Sequence, residues 1–314
     1  MSSPAFPRGG IFPALWTPVD AAGALIESAM AQHIGWLRQR GVAGIVALGS
    51  TGEFPRFSVE QRKAIVRAVI RHADGLPVVV NVSDIQFEHA AALARFAAEE
   101  GAAGIAIMPP WFYPVSQADL LEFFLRVAAA TSLPVLLYNF PELAGTRIDL
   151  ETVEAFAERA PMHGIKQSGG EFGYHEALIE LGRKKNYVVF SGADTRLAEV
   201  FGLGAAGCIG GMVNFVPEMM VEIYKLCQRG RQVEARPLTD RMKEAGAIID
   251  QLTFPLNVAA GMEARGLTPG SPKTVVSAAS AITYQKIVAQ LRAKWTEWNL
   301  EPADLVAEGG RNAS

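Results

Sequence analysis

Pro161-Met162-His163-Gly164-Ile165-Lys166-Gln167-Ser168-Gly169-Gly170 is a short apolar run that carries a lysine and then breaks into a Ser-Gly-Gly turn. On a strand of a βα unit, this run delivers an amine to the carboxyl edge of a sheet, where α/β proteins build their sites. A neutral lysine amine there can attack a ketone, lose water and leave an iminium that withdraws electrons. The same stretch also fits a solvated lysine closing a strand, so the surrounding sequence has to decide.

Comparable apolar runs recur at Ile11–Pro18, Gly44–Ser50, Pro77–Val82, Gly104–Pro109, Pro134–Phe140, Gly164–Ser168, Tyr187–Gly192 and Gly207–Val213. Most open after Gly or Pro, and Val78-Val79-Val80 has the β-branched density of a strand buried on both faces. Helical patterns fill the gaps. Ser58–His72 opens with Ser58 and Gln61 at capping-box spacing, and Gln86–Glu100 is Ala-rich and amphipathic. Gln117–Ala130 and Leu150–Arg159 follow the N-cap candidates Ser116 and Asp149. This alternation predicts an α/β fold, a parallel (β/α)₈ TIM barrel over residues 1–216. An open doubly wound sheet is the alternative, but no G-x-G-x-x-G follows the first run.

Residues 217–314 read as helices alone, at Pro217–Gln228, Val233–Leu252, Ser271–Ala279 and Ala281–Trp298, more than one barrel helix requires. They predict a helical extension packed on the barrel, with Trp295 and Trp298 as core or interface aromatics. The polar tail Glu301–Ser314 is expected to end in a mobile segment.

Composition narrows the function. Half of the 314 residues are apolar and 19% are charged, which is ample material for a large core. A net charge of −3 gives no electrostatic reason to expect nucleic acid or an anionic membrane as partner. Cys208 and Cys227 make neither a disulfide framework nor a metal quartet. The histidines show no H-x-x-x-H or H-E-x-x-H spacing, so no metal site is expected. The opening lacks a basic start followed by an apolar stretch, and no apolar run approaches about 18 residues, so neither signal peptide nor membrane span is expected. The expectation is a soluble, reduced, cytoplasmic enzyme.

Two further turns carry chemistry. Gly49-Ser50-Thr51-Gly52-Glu53 sets two hydroxyls and freed backbone N–H groups between glycines, either a pocket for a small anion or an N-cap and turn cluster. It is not a Walker loop, because no lysine follows. Tyr138-Asn139-Phe140-Pro141 places a phenol at the mouth that Lys166 would occupy, either as a proton shuttle or as a core tyrosine with a satisfied hydroxyl.

Five motifs now stand in order. They are Gly-Ser-Thr-Gly-Glu after the second run, Tyr-Asn-x-Pro after the fifth, Gly-Ile-Lys at the sixth, Ser-Gly-x-Asp after the seventh and Gly-Cys-Ile-Gly-Gly at the eighth. The set resembles the N-acetylneuraminate lyase and dihydrodipicolinate synthase family of Schiff-base, pyruvate-handling lyases, over about Gly10 to Lys294. The resemblance implies a barrel with a C-terminal helical bundle, no cofactor beyond a covalent Lys166 imine, and a homotetramer built from tight dimers. It implies Lys166 as the Schiff-base lysine and Tyr138 as the residue that orients the imine and relays protons. Ser50 and Thr51 match the pair that holds the pyruvoyl carboxylate, with Ser50 also in the relay and Gly49 beside them in the substrate-binding loop. Ile209 matches a residue whose backbone lines the pyruvate pocket.

Departures from the family bear on the substrate. In Pro110-Trp111-Phe112-Tyr113-Pro114, the position of a relay tyrosine that reaches into the neighbouring subunit reads Phe112, with Tyr113 next to it. The synthases place an arginine soon after Tyr-Asn-x-Pro for the carboxylate of aspartate semialdehyde. Here Glu142 stands near that place, and Arg147 follows a Gly-Thr step. The Asp-Glu pair and strand-eight serine of sialic-acid lyases are Asp194-Thr195 and Gly211 here. That leaves Asp194, with weaker help from Ser168 and Thr195, to bind a substrate hydroxyl. The resemblance thus implies cleavage of a 2-keto-3-deoxy sugar acid or related 4-hydroxy-2-oxo acid to pyruvate and an aldehyde. The alternatives are 4-hydroxy-tetrahydrodipicolinate synthesis, dehydration of a keto-deoxy acid, and a non-catalytic pyruvate-binding regulatory protein, the last motivated by Phe112.

Overall fold

Every strand of the chain is short and buried on both faces, which is the signature of a parallel sheet sheathed by helices. The computed structural model describes residues 4–303, and the end of the polar tail, expected to be mobile, lies outside the described residues. The strands are β1 (Gly10–Pro13), β2 (Ile45–Ala47), β3 (Val78–Asn81), β4 (Gly104–Ile107), β5 (Val135–Asn139), β6 (Met162–Gln167), β7 (Val188–Ser191) and β8 (Gly207–Gly210). They are parallel in the order β1-β8-β7-β6-β5-β4-β3-β2. The Ala14–Val46 bridge and the 2.9 Å bond from Leu15 N–H to Val46 O bring β1 to β2 and close the ring. This is the (β/α)₈ barrel that the alternation of apolar runs predicts.

Helices α1 (Glu27–Gln39), α2 (Val59–His72), α3 (Phe87–Glu99), α4 (Gln117–Ala129), α5 (Pro141–Ala144), α6 (Leu150–Arg159), α7 (Phe172–Lys185) and α8 (Leu197–Leu203) connect the strands. The capping box forms as spaced: Ser58 Oγ accepts from Gln61 N–H, and the Gln61 side chain accepts from Ser58 N–H. Inside the barrel Phe12, Val46, Val79, Leu136, Phe190 and Ile209 make one apolar cluster. Phe6 plugs its amino end, stacked at 3.8 Å on His163, whose Nε2 bonds Pro7 O at 3.0 Å.

Asn214 joins the two ends of the ring. Its Nδ2 donates to Ala14 O and Gly211 O, and its Oδ1 accepts from Trp16 N–H. Beyond it come α9 (Pro217–Gln228), α10 (Gln232–Ile249), α11 (Leu256–Ala264) and α12 (Ala278–Glu297). Trp295 and Trp298 are buried, Trp295 against Phe215 at 6.2 Å between ring centres.

One helix expectation fails here, and one helix appears where none was expected. Ser271–Ala279 is not a helix: Pro272 cannot donate, Gly270 takes φ +78°, and Ser271 N–H pairs with Val19 O. The helix that does follow starts at Ala278, with Ser277 capping it through the Ser280 N–H. Conversely, α11 was not expected from the sequence. It is apolar nearly all round and buried from Asn257 to Met262, so it lacks the polar stripe that marks a surface helix.

Candidate active site

β5 and β6 pair in register with Tyr138 beside Lys166, so both side chains emerge at the carboxyl edge of the barrel. Both are buried. Lys166 Nζ lies 4.1 Å from the centre of the Tyr138 ring, and Tyr138 Oη lies 3.3 Å from Ser50 Oγ. Amine, phenol and serine hydroxyl therefore form one line across the mouth.

The loop that supplies Ser50 and Thr51 is held in an unusual shape. Leu48 and Glu53, which flank it, take φ values of +58° and +59°, conformations that cost a side chain about 1–3 kcal/mol and need support. Support comes from both sides. Asn81 Nδ2 donates to Leu48 O at 2.7 Å. Glu53 accepts from Arg56 Nε at 2.7 Å and from Lys273 Nζ at 3.0 Å. Lys273 also sits 4.0 Å from the Trp16 ring centre, and burial pushes its amine below the usual lysine range. The segment after α11, which the sequence had suggested as a helix, thus acts as a strap across this loop. The depression on its outer side, about 660 Å³ and lined by Arg56 and Lys273, is larger than the Lys166 cavity but lies behind the ion pair.

Lys166 and Tyr138 open into a cavity of about 360 Å³. Thr51, Ser168, Asp194, Ile209 and Gly211, each singled out in the sequence, are among its lining residues. Ser50 reaches it only through Tyr138, and Gly49 is not among its lining residues. Asp194 enters from a 3₁₀ turn after β7; its Oδ2 accepts from Met212 N–H at 2.9 Å and its Oδ1 from Cys208 Sγ at 3.5 Å. Burial raises its carboxyl above the usual range, against the opposing pull of the Met212 N–H bond and the Lys166 charge. Two glycines make room. A Cβ on Gly210 would overlap Asp194 Oδ1, and one on Gly192 would overlap Ser168 Oγ and touch Lys166 Cε at 3.4 Å.

The sequence reading missed the far wall of the cavity. Gly246 and Ile249 from α10, Asp250 at its C-cap, Phe254 from the turn after it, and Asn257 and Val258 from α11 complete it. Gly246 permits this approach, since a Cβ there would come within 2.5 Å of Thr195 Cγ2. Only Gly246 and the polar residues carried a local hint, and nothing nearby in the chain links them to β6.

The remaining singled-out residues lie outside. Arg147 pairs with Asp149 and Glu171 and lies 5.2 Å from the Tyr174 ring centre. Glu142 accepts from Gly170 N–H at 2.7 Å and packs against Gly169, which lines the cavity. Phe112 has φ +84° and is 82% exposed, with Tyr113 edge-on at 4.8 Å and 72% exposed. His33, His163 and His175 bond Asn214 O, Pro7 O and Ser191 Oγ. Among the described residues no group of three or more His, Cys, Asp or Glu is placed to hold a metal ion, and no helix is long and apolar enough to cross a membrane.

Known proteins are similar to this chain in sequence and fold. Residues 7–294 match the model of the dihydrodipicolinate synthetase family. The putative 2-dehydro-3-deoxy-D-gluconate aldolase YagE of Escherichia coli is 34% identical over 72% of this chain and 76% of its own. The probable 2-dehydro-3-deoxy-D-pentonate aldolase YjhH of the same organism is 31% identical over 76% and 81%. A 4-hydroxy-tetrahydrodipicolinate synthase of Methanothrix thermoacetophila is 29% identical over 83% and 88%. The crystal structure of YagE in complex with pyruvate superposes with a TM-score of 0.84, covering 91% of this chain and 98% of its own at 29% identity. With a family match that spans the barrel and the helices behind it, the chain belongs to the dihydrodipicolinate synthetase family of lyases.

Proposed function

We propose that the protein is a Schiff-base aldolase that reversibly cleaves a 2-keto-3-deoxy sugar acid, or a related 4-hydroxy-2-oxo acid, to pyruvate and a neutral hydroxyaldehyde. The observation that carries this reading is the Lys166–Tyr138–Ser50 line at the edge of one cavity. In cleavage, Lys166 Nζ attacks the C2 ketone and water leaves, giving the iminium. Tyr138 Oη gives its proton to the departing hydroxide as water forms, and as the phenolate it then takes the proton of the C4 hydroxyl. The C3–C4 bond breaks, its electron pair passes into the iminium, and the aldehyde departs. Protonation of the enamine at C3 and hydrolysis then return pyruvate and the free amine. Thr51, which lines the cavity, holds the substrate carboxylate through its hydroxyl and backbone N–H, which fixes the ketone against the amine, while Ser50 acts through Tyr138.

Glu142 favours cleavage over dihydrodipicolinate synthesis. Its carboxylate, tied to Gly170 at the cavity edge, repels the carboxylate of aspartate semialdehyde. Asp250 in the wall adds to that preference. The sugar-acid aldolase names of YagE and YjhH support the same substrate class. Assembly into a homotetramer is part of the proposal, supported by the exposed Phe112 and Tyr113, and mass photometry tests it.

The deciding assay incubates the protein and pyruvate with glyceraldehyde or with aspartate semialdehyde. The proposal expects a six-carbon keto-deoxy acid from glyceraldehyde at the higher kcat/KM. Preferential consumption of aspartate semialdehyde would reverse the assignment.

A further inference from the structure

One polar group in the cavity wall has no partner. Asn257, near the start of α11, is 7% exposed, and its Oδ1 makes no hydrogen bond among the described residues. Other buried polar atoms without partners lie away from the cavity; Asn257 is the one among them that lines it. A buried amide oxygen left unpaired carries a desolvation penalty, and such groups are kept where a ligand or an ordered water completes them.

The wall that carries Asn257 indicates which ligand group that is. From Ile249 to Val258 it is mostly apolar, with Ile249, Phe254 and Val258 offering no side-chain hydrogen bond and Asp250 the one carboxylate of the stretch. The adjacent Val258 packs over Gly211, where a Cβ would meet Val258 Cγ2 at 3.5 Å and Thr51 Oγ1 at 3.6 Å. Asn257 is thus set on the helical wall that closes over the barrel mouth, while the amine and phenol lie on the barrel strands. A primary amide offers one acceptor and two donors with no charge, and its terminal torsion is broad, so a small turn presents either to a ligand. That is the chemistry of a hydroxyl partner.

We infer that Asn257 is a specificity-determining residue whose amide hydrogen-bonds a hydroxyl of the aldehyde-derived chain, on a carbon beyond C4. The cavity thereby selects hydroxylated aldehydes over their deoxy counterparts. The inference rests on the aldolase reading and goes beyond it by naming the group that recognises the substrate tail.

The experiment compares the parent, Asn257→Ala and Asn257→Leu in the addition of pyruvate to glyceraldehyde and to propanal. Borohydride trapping of pyruvate is run on each protein. In both variants kcat/KM for glyceraldehyde falls roughly ten- to a hundredfold, while that for propanal changes by no more than about threefold. Pyruvate trapping stays at the parent level. Asn257→Leu, which fills the space without a buried polar atom, melts at or above the parent, so the loss is not unfolding. Equal losses for the two aldehydes, an unchanged rate with glyceraldehyde, or a weakened pyruvate adduct overturn the inference. So does a parent that traps pyruvate but gives no product with glyceraldehyde. A parent that traps no pyruvate fails earlier, overturning the aldolase reading and this inference with it.

Discussion

Lys166 and Tyr138 are register partners on adjacent strands, and the lysine Nζ lies against the tyrosine ring, 4.1 Å from its centre. The ring thus packs against the lysine chain and fixes where the amine stands. The hydroxyl at the ring edge points to Ser50 and stays available for proton transfer. One tyrosine thus has two separable duties, and substitutions can part them.

Tyr138→Phe keeps the ring beside Lys166 and removes only the hydroxyl. Pyruvate should still form a reducible imine, while kcat for aldol turnover falls by roughly 10²–10⁴. Ser50→Ala, acting through the phenol, should cost roughly tenfold. Trapping and steady-state assays on the same samples measure the two duties apart, and loss of the imine in Tyr138→Phe would contradict this division.

Gly192→Ala tests the crowding at the amine. The new Cβ would overlap Ser168 Oγ and touch Lys166 Cε. Overpacking of this kind costs about 1–3 kcal/mol, which chemical denaturation reads. Turnover should fall more than stability alone accounts for, because the Ser168 hydroxyl is driven from its place in the cavity wall beside the amine.

The strap across the Ser50–Thr51 loop makes a stability prediction. Lys273→Met removes a buried cation from Glu53 and should destabilise the fold by about 3–5 kcal/mol. The double change Glu53→Gln with Lys273→Met should recover part of that loss, since no buried charge is then left unpaired and Arg56, which loses its carboxylate, is half exposed. Urea unfolding of the three proteins checks the order. The single variant should also show a raised KM for pyruvate, because Glu53 ends the loop that holds the carboxylate.

His33 gives a pH prediction. Burial holds its folded-state pKa at about 4, against 6.5 for the free side chain. Between those values the unfolded chain binds the proton and the folded chain does not. Stability therefore falls as pH drops from about 6.5 to about 4, by about 3 kcal/mol for this residue, and is retained above that window. His163 and His175 are shifted down by burial too, and the raised carboxyl of Asp194 works in the opposite sense. His33→Leu should flatten the slope of stability against pH without abolishing it. An unchanged slope would refute the assignment.

The barrel was legible because its information is local. Val78-Val79-Val80 reads as a buried strand wherever it stands, and Ser58 with Gln61 announces a helix start within four residues. Lys166, Tyr138, Ser50 and Thr51 were found because each sits at the end of such a run. The far wall was not legible for the opposite reason. Asn257 belongs to a helix without an amphipathic stripe, and Lys273 meets Glu53 across 220 positions of chain. Thr274, Val275 and Val276 could have warned against the helix drawn through Ser271–Ala279, since β-branched residues after Pro272 disfavour it. Tertiary contacts, not propensity, place those residues.

The central claim is that Lys166 is the nucleophile toward pyruvate. It is tested most directly by reducing the protein with borohydride in the presence of pyruvate and mapping the modified peptide by mass spectrometry. The account predicts one reduced adduct, on Lys166, and none in Lys166→Ala. A folded protein that leaves Lys166 unmodified in excess pyruvate, or carries the adduct on another lysine, would contradict it.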